Sequence, residues 1–244
     1  MGTSNKADFN WEELLGQIRF KNVIPVIGHG LYRVEIKAGE NGECLLYDFL
    51  AKRIAEKCKE KEPTDANHKF SKAAFNFLKK KGYDYKKLSL FLEDTLKEVR
   101  LIPANPLRKL ARIKAFNIFL TTAYDDFLID TINTVRTVPT EMRYYGVFDK
   151  VSSLLDYQLL GSLMKSERTL VYHILGNLKR NVVPAYTEKD ILETIIEFQK
   201  DMADNRSENQ LFGKLENSSL LFMGCGYNDW LFRFFIRSLA NEPY

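Results

Sequence analysis

Cysteines and long apolar runs are scarce in this chain of 244 residues, and each scarcity excludes a class of protein. The cysteines, Cys44, Cys58 and Cys225, form no CxxC pair and are too few for a four-cysteine zinc site or a disulfide framework. No apolar run approaches the roughly 20 residues of a membrane span, and the N-terminus lacks the basic and then apolar order of a secretory signal. We therefore expect a soluble, cytoplasmic protein that holds no metal.

A strong excess of either charge is also missing. The net charge is +4, from 36 basic and 32 acidic residues, whereas nucleic-acid binding requires a clustered basic face. No nucleic-acid partner is expected. With 45% hydrophobic residues, the chain can bury one sizeable core, alone or with a helical insertion.

An apolar run at Phe116–Leu120 is typical of a buried parallel strand. Open α/β sheets bind ligands just beyond the carboxyl ends of such strands, so polar side chains at this place indicate a site. The polar residues that follow the run are Thr121, Thr122, Tyr124, Asp125 and Asp126.

A second strand is predicted at Asn22–Gly30, where a β-branched run ends in two glycines. A strand, a glycine turn and a helix together form the phosphate-binding layout of nucleotide-binding α/β folds. An ordinary tight turn is the alternative explanation of the glycines.

Helical periodicity dominates the segment between these two strands. Leu45–Glu60 predicts an amphipathic helix, and Asp65–Arg112 continues as helices without a strand. We therefore predict a helical insertion over residues 45–112. The second half of the chain predicts an irregular connection at Val135–Val151, a helix at Ser152–Met164 and a strand at Arg168–Leu178. A helix follows at Ala185–Lys200, with Thr187 as its N-cap and Asp190 at its third position. A polar loop at Met202–Gln210 and a strand with a glycine turn at Ser219–Arg233 complete the prediction.

In the Arg168–Leu178 segment the strand exits through His173, in an apolar context, toward Gly176 and Asn177. A histidine in such a place is most often a satisfied core residue, and a catalytic base is the alternative. Five segments now stand in a fixed order along the chain: GxGL at Gly28–Leu31, TTxYDD at Thr121–Asp126, YHxxGN at Tyr172–Asn177, TExD at Thr187–Asp190, and GxxxxDW at Gly224–Trp230.

This ordered set resembles the sirtuin-like NADase domains of bacterial antiphage defence effectors. The resemblance implies a Rossmann-like parallel sheet flanked by helices, with NAD+ as the substrate. It implies His173 as the base, although some relatives place the base at the position of Leu175. It also implies Asp125 as the acceptor of the nicotinamide amide. The residues that it places around NAD+ are Gly28, Gly30, Leu31, Thr122, Tyr124, Gly176, Gly224, Asn228 and Asp229.

The chain departs from the family pattern at three places. His29 replaces a small alanine and Tyr32 a serine, and both add bulk beside the expected pyrophosphate. Ala123 replaces the asparagine that orients the ribose and the water in the family. Because alanine offers no side-chain donor or acceptor, this chain should bind NAD+ better than it cleaves it. A natural degenerate copy and a deliberately disabled variant both fit; the intact neighbours favour the second.

The resemblance implies an NAD+ glycohydrolase that depletes cellular NAD+ in abortive infection. It also implies a single domain over residues 1–244, inside a homo-oligomer or larger assembly with a sensor domain or partner. A non-catalytic nucleotide-binding or oligomerising module is the main alternative. An NAD-dependent protein deacetylase is disfavoured, because those enzymes carry a zinc module of two cysteine pairs.

Overall fold

The computed structural model describes residues 10–37, 42–65, 68–102, 105–146, 168–179, 183–204, 210–226, 233 and 236–237. The strands described are β1 (Val23–Ile27), β2 (Arg33–Ile36), β3 (Glu43–Leu45), β4 (Val99–Leu101), β5 (Ile118–Thr121), β6 (Thr140–Tyr144), β7 (Thr169–His173) and β8 (Ser219–Met223). The helices described are α1 (Trp11–Arg19), α2 (Leu46–Cys58), α3 (Lys69–Leu78), α4 (Tyr85–Leu96), α5 (Pro106–Ala111), α6 (Phe127–Val135), α7 (Glu188–Asp204) and α8 (Gln210–Glu216). None of these helices is both long enough and apolar enough to cross a bilayer.

Five strands form the main sheet in the order β6-β7-β5-β1-β8, and every neighbouring pair is parallel. The last residues of the five strands pair in one row across the sheet: Tyr144, His173, Thr121, Ile27 and Met223. The turns after the strands therefore meet at one edge. Helices flank this sheet, which confirms the predicted α/β, Rossmann-like architecture.

The three central strands of the main sheet are covered on both faces. Every residue of β1, β5 and β7 is buried, and their sequences VIPVI, IFLT and TLVYH are continuous apolar or β-branched runs. Strands covered on both faces show such runs, whereas strands with one wet face alternate. These three central strands lead into the GxGL, TTxYDD and YHxxGN segments, and β8, at the edge of the sheet, leads into the GxxxxDW segment.

Between β1 and β5 the chain forms α2 to α5 and a second sheet, which is antiparallel and has the order β3-β2-β4. The prediction that Asp65–Arg112 holds no strand is wrong, because β4 lies within it. Val99 is 2% exposed and pairs with Ile36 on β2. The first glycine turn also leads into one turn of 3₁₀ helix, His29–Leu31, and then into β2, not into the expected α-helix.

Two other segments differ from their predictions. Val135–Val151 contains the edge strand β6, where an irregular connection was expected, and α7 extends to Asp204, inside the predicted Met202–Gln210 loop. The helix predicted at Ser152–Met164 lies outside the described residues. The predicted cap of α7 is confirmed: the Asp190 N–H donates to Thr187 Oγ1 at 3.2 Å, and the Thr187 N–H donates to Asp190 Oδ2 at 3.0 Å.

Candidate functional site

The turns at the carboxyl edge of the main sheet are joined to each other by backbone hydrogen bonds. The Thr122 N–H donates to the Ile27 carbonyl at 3.1 Å, and the Ile174 N–H donates to the Thr121 carbonyl at 3.0 Å. The Gly28 N–H donates to the Met223 carbonyl at 2.8 Å. The structure therefore brings four of the predicted motif segments, those after β1, β5, β7 and β8, to one place.

Thr121 fixes the turn that follows β5. Its hydroxyl donates to the Ile27 carbonyl at 3.2 Å and accepts from the Ala123 N–H at 3.1 Å. Because its one proton is used for Ile27, the Tyr32 hydroxyl donates to it at 3.2 Å. Tyr32 thus supports this turn from within the core, where it is 0% exposed.

Asp125 is held by two donors and is almost fully buried, with 3% of its surface exposed. Its carboxylate accepts from the Tyr47 hydroxyl at 2.9 Å and from the Phe127 N–H, at the start of α6, at 3.0 Å. The Tyr47 oxygen in turn accepts from the Tyr124 N–H at 2.7 Å. Burial outweighs these bonds and raises the pKa of Asp125 to about 6.

Tyr47 was not among the predicted site residues. A signal was present, because Tyr47 precedes Leu50 by three residues and Ile54 by seven and so shares the buried face of α2. A tyrosine on a buried face requires a partner for its hydroxyl. What the periodicity could not supply was the identity of that partner, which lies 78 residues further along the chain.

His173 is fully buried at the end of β7, and its ring joins the two central motif segments. Its Nδ1 lies 2.9 Å from the Ala123 carbonyl oxygen. A carbonyl only accepts, so Nδ1 carries the proton and Nε2 is the basic nitrogen. The Asn177 amide nitrogen lies 3.4 Å from Nε2 and donates to it weakly.

Asn177 and Asp126 extend this arrangement; Asp126 was among the polar residues predicted to indicate a site, whereas Asn177 was not named as a site residue. The Asn177 amide donates to Asp126 Oδ1 at 2.7 Å, and Lys179 Nζ lies 3.0 Å from Asp126 Oδ2. Both residues stand in the quoted motifs, so their positions were visible in the sequence while their contacts were not. Leu175, the alternative position for the base, is buried and 6% exposed.

The two glycine turns after β1 and β8 pack against each other. The Gly30 N–H donates to the Gly224 carbonyl at 2.8 Å. A Cβ on Gly28 would lie 2.5 Å from the Gly224 oxygen, and Gly224 itself has φ +68° with Leu31 against it. The N–H groups of Gly28 and Gly30 are both bonded to carbonyls, so neither is free to bind a phosphate. A contact of these glycines with the pyrophosphate stays a prediction.

The remaining predicted residues lie in different surroundings. Thr122 is partly exposed, and the Tyr124 hydroxyl donates to the Ala185 carbonyl at 2.6 Å, within the core. Gly176 has φ +86°, which favours glycine, and a Cβ there would lie 2.9 Å from Pro184 Cα. Asn228 and Asp229 lie outside the described residues. Within the described part of the chain, no group of three or more His, Cys, Asp or Glu side chains could hold a metal ion.

His29 also contacts the turn that follows β5, Thr122–Asp126, which we call the motif turn. Its ring stacks on Tyr47, with 3.7 Å between the centroids and 5° between the planes, and its Nε2 lies 2.9 Å from the Thr122 carbonyl oxygen. Desolvation lowers the pKa of His29 to about 4, so the ring is neutral at physiological pH.

His29 and Asp125 have opposite effects on how the free energy of unfolding depends on pH. In the parent we expect the two effects to cancel between about pH 4 and 6. Near pH 5 the unfolded chain binds a proton at His29, with an ordinary pKa of 6.5, and the folded chain binds one at Asp125, with a pKa of about 6. In Asp125→Asn, the free energy of unfolding should fall as the pH drops from 6.5 towards 4. In His29→Gln it should rise as the pH drops from 6 towards 4. Each slope approaches about 1.4 kcal/mol per pH unit relative to the parent.

Urea unfolding of the three proteins at several pH values between 4 and 6.5 measures these slopes. Parallel curves for the parent and both variants would contradict the assignment of the two protonation states. A slope of the same sign in both variants would do so as well.

The parallel sheet places the chain among Rossmann-like α/β proteins, and its candidate site lies at the carboxyl edge, where the strand ends meet buried polar residues. The sequence model of the SIR2-like domain family matches residues 117–243, which include β5, His173 and β8. The chain belongs to this family, which uses NAD. No curated protein matches the chain.

Proposed function

We propose that this chain is the NAD+ glycohydrolase domain of an antiphage defence system, present in a form with impaired turnover. The observation that carries the proposal is the hydrogen bond from His173 to the backbone of residue 123. It joins the candidate base to the motif position that the family resemblance assigns to an asparagine. This contact supports the proposal because it joins the two positions to which the resemblance assigns the chemistry.

The donor and acceptor groups at the carboxyl edge of the main sheet are suited to the nicotinamide ribosyl part of NAD+, where the bond is cleaved. Cleavage of the nicotinamide ribosyl bond gives the ribose oxocarbenium character, so a base acting on a ribose hydroxyl or a water lowers the barrier. Because Nδ1 is bonded to the Ala123 carbonyl, Nε2 is the nitrogen of His173 that can take up a proton in this step. The Asp125 carboxylate would hold the carboxamide of the leaving group, with Tyr47 and Phe127 fixing its orientation.

Ala123 supplies only its backbone to this site. Its N–H is bonded to Thr121 and its carbonyl to His173, and it has no side-chain donor or acceptor to orient a ribose or a water. The backbone hydrogen bonds that join the turns at the carboxyl edge are nonetheless in place. We infer that substrate binding persists while cleavage is slow.

The direct test is titration of the chain with NAD+ by calorimetry, together with chromatographic detection of nicotinamide. We expect saturable binding of NAD+ and little nicotinamide. ADP-ribose, which lacks the nicotinamide, should bind too, and an unrelated nucleotide such as GTP serves as the control. A chain that is folded but binds neither NAD+ nor ADP-ribose would overturn the proposal.

A non-catalytic nucleotide-binding or oligomerising module is the second candidate. The observation that favours it is the complete burial of both Ala123 and His173. If the chain is such a module, an asparagine at position 123 should leave the rate of NAD+ cleavage unchanged. The deacetylase alternative is separated by an assay with an acetylated peptide, in which we expect no NAD+-dependent deacetylation.

The biological setting follows from the resemblance and is proposed with it. We propose a cytoplasmic protein that works as a homo-oligomer, with a sensor domain or partner controlling NAD+ depletion during infection. Size-exclusion chromatography with light scattering tests the oligomer. Measuring cellular NAD+ after phage infection, in cells that express the Ala123→Asn form, tests the defence role.

A further inference from the structure

Two histidines bind adjacent carbonyls of the motif turn. His29 Nε2 lies 2.9 Å from the Thr122 oxygen, and His173 Nδ1 lies 2.9 Å from the Ala123 oxygen. The Cα atoms of consecutive residues are only about 3.8 Å apart, so the two rings attach to neighbouring peptide units. The candidate site therefore contains two imidazoles, and the mechanism proposed above uses only His173.

The bond to Thr122 determines the protonation of the His29 ring. Because the carbonyl only accepts, Nε2 carries the proton and Nδ1 keeps its lone pair. Among the residues that the structure describes, no donor to Nδ1 is found, and the side chain is partly exposed. Nδ1 is thus a hydrogen-bond acceptor that a ligand at this edge can use.

The ring is also rigidly oriented. It stacks face to face on Tyr47, and the Tyr47 hydroxyl is itself fixed by Asp125 and by the Tyr124 N–H. A fixed acceptor binds a ligand donor without first losing rotational freedom, which makes it selective for donor position. The lowered pKa keeps Nδ1 unprotonated through the physiological range.

We propose that His29 is a ligand-contacting residue that determines specificity, with Nδ1 accepting a hydrogen bond from a ribose hydroxyl of the bound dinucleotide. This inference rests on the proposed function. A phosphate oxygen is excluded as the partner of Nδ1, because it offers no proton and would face a lone pair. The bulk that His29 adds at the turn thus becomes a contact with the nucleoside part of the ligand, not an obstacle beside its pyrophosphate.

Two substitutions separate the roles of the ring. His29→Ala removes both nitrogens, whereas His29→Gln keeps an N–H that can reach the Thr122 carbonyl and lacks an acceptor at the Nδ1 position. We expect both variants to fold and to bind NAD+ about 5- to 10-fold more weakly than the parent, the loss of one neutral hydrogen bond. Calorimetric titration measures the affinity, and thermal unfolding checks the fold.

The choice of ligand identifies the donor. The loss should be the same for NAD+, for ADP-ribose, which lacks the carboxamide, and for the hypoxanthine analogue of NAD+, which lacks the adenine amine. A loss confined to NAD+ and the analogue would assign the donor to the carboxamide and overturn the ribose assignment. A loss absent with the hypoxanthine analogue would assign the donor to the adenine amine, with the same consequence.

A spectroscopic readout tests the contact in the parent itself. In imidazole ¹⁵N spectra, the Nδ1 resonance of His29 should move towards the position of a hydrogen-bonded acceptor when ADP-ribose is added, while Nε2 stays protonated. An unmoved Nδ1 resonance at saturation, or a His29→Gln variant that binds as the parent does, would overturn the inference alone. A parent that binds neither NAD+ nor ADP-ribose would overturn the proposed function with it.

Discussion

Ala123→Asn should raise the rate of NAD+ cleavage by at least ~10²-fold. The loss of one group that orients or stabilises the reacting centre typically costs ~2.7 kcal/mol or more of transition-state stabilisation, and an asparagine at 123 would restore such a group. The amide would be carried by the residue whose carbonyl bonds to the candidate base, His173. Nicotinamide release at saturating NAD+ measures the effect.

The matched control is Ala123→Leu, which adds a side chain that branches at the same atom, is somewhat larger and has no amide. Position 123 is 0% exposed, so either side chain must be accommodated, and both variants need a thermal unfolding curve beside the kinetics. We expect turnover in the asparagine variant alone. An asparagine variant that binds NAD+ and releases nicotinamide no faster than the parent would favour the binding module.

The main sheet could be predicted because its central strands are dry on both faces. Such strands leave continuous apolar runs, and the runs at β1, β5 and β7 were placed within a few residues. Their order in the sheet was not predicted, since β7 inserts between β5 and β6 and the pairing that decides this is not local. The row of strand ends that collects the motifs therefore emerges only in three dimensions.

The short strands escaped prediction for a different reason. β3 and β4 have three residues each, which is too short for an alternation to stand out from helical neighbours. β6 is an edge strand with the sequence TEMRY, and all of its residues are partly exposed. Its polar composition resembles that of a loop, and only its pairing with β7 makes it a strand.

At the site, the sequence identified the polar motif but not the residues that hold it in place. Tyr47 comes from the insertion, and its bonds to Asp125 and to the Tyr124 backbone join segments that local periodicity cannot relate. His29 was visible only as a departure from the family pattern, so it was interpreted as added bulk. Its stacking on Tyr47 gives the insertion a direct part in shaping the site.

The second large effect concerns His173 in the Ala123→Asn background. If His173 Nε2 is the base, His173→Ala should lower turnover by about 10²- to 10⁴-fold, the usual contribution of a positioned acid or base, with little change in NAD+ affinity.

His173→Asn is the sharper variant, because its amide can still donate to the residue 123 carbonyl, as Nδ1 does, but it has no basic nitrogen. We expect the His173→Asn protein to unfold at nearly the temperature of its background and to release no more nicotinamide than the His173→Ala protein. Chromatography of samples quenched at successive times measures the rate of nicotinamide release, and calorimetric titration measures the affinity for NAD+. Turnover retained by His173→Asn and lost only in an unstable His173→Ala protein would mean that the histidine is a core residue that holds the motif turn, and the base would have to be sought elsewhere.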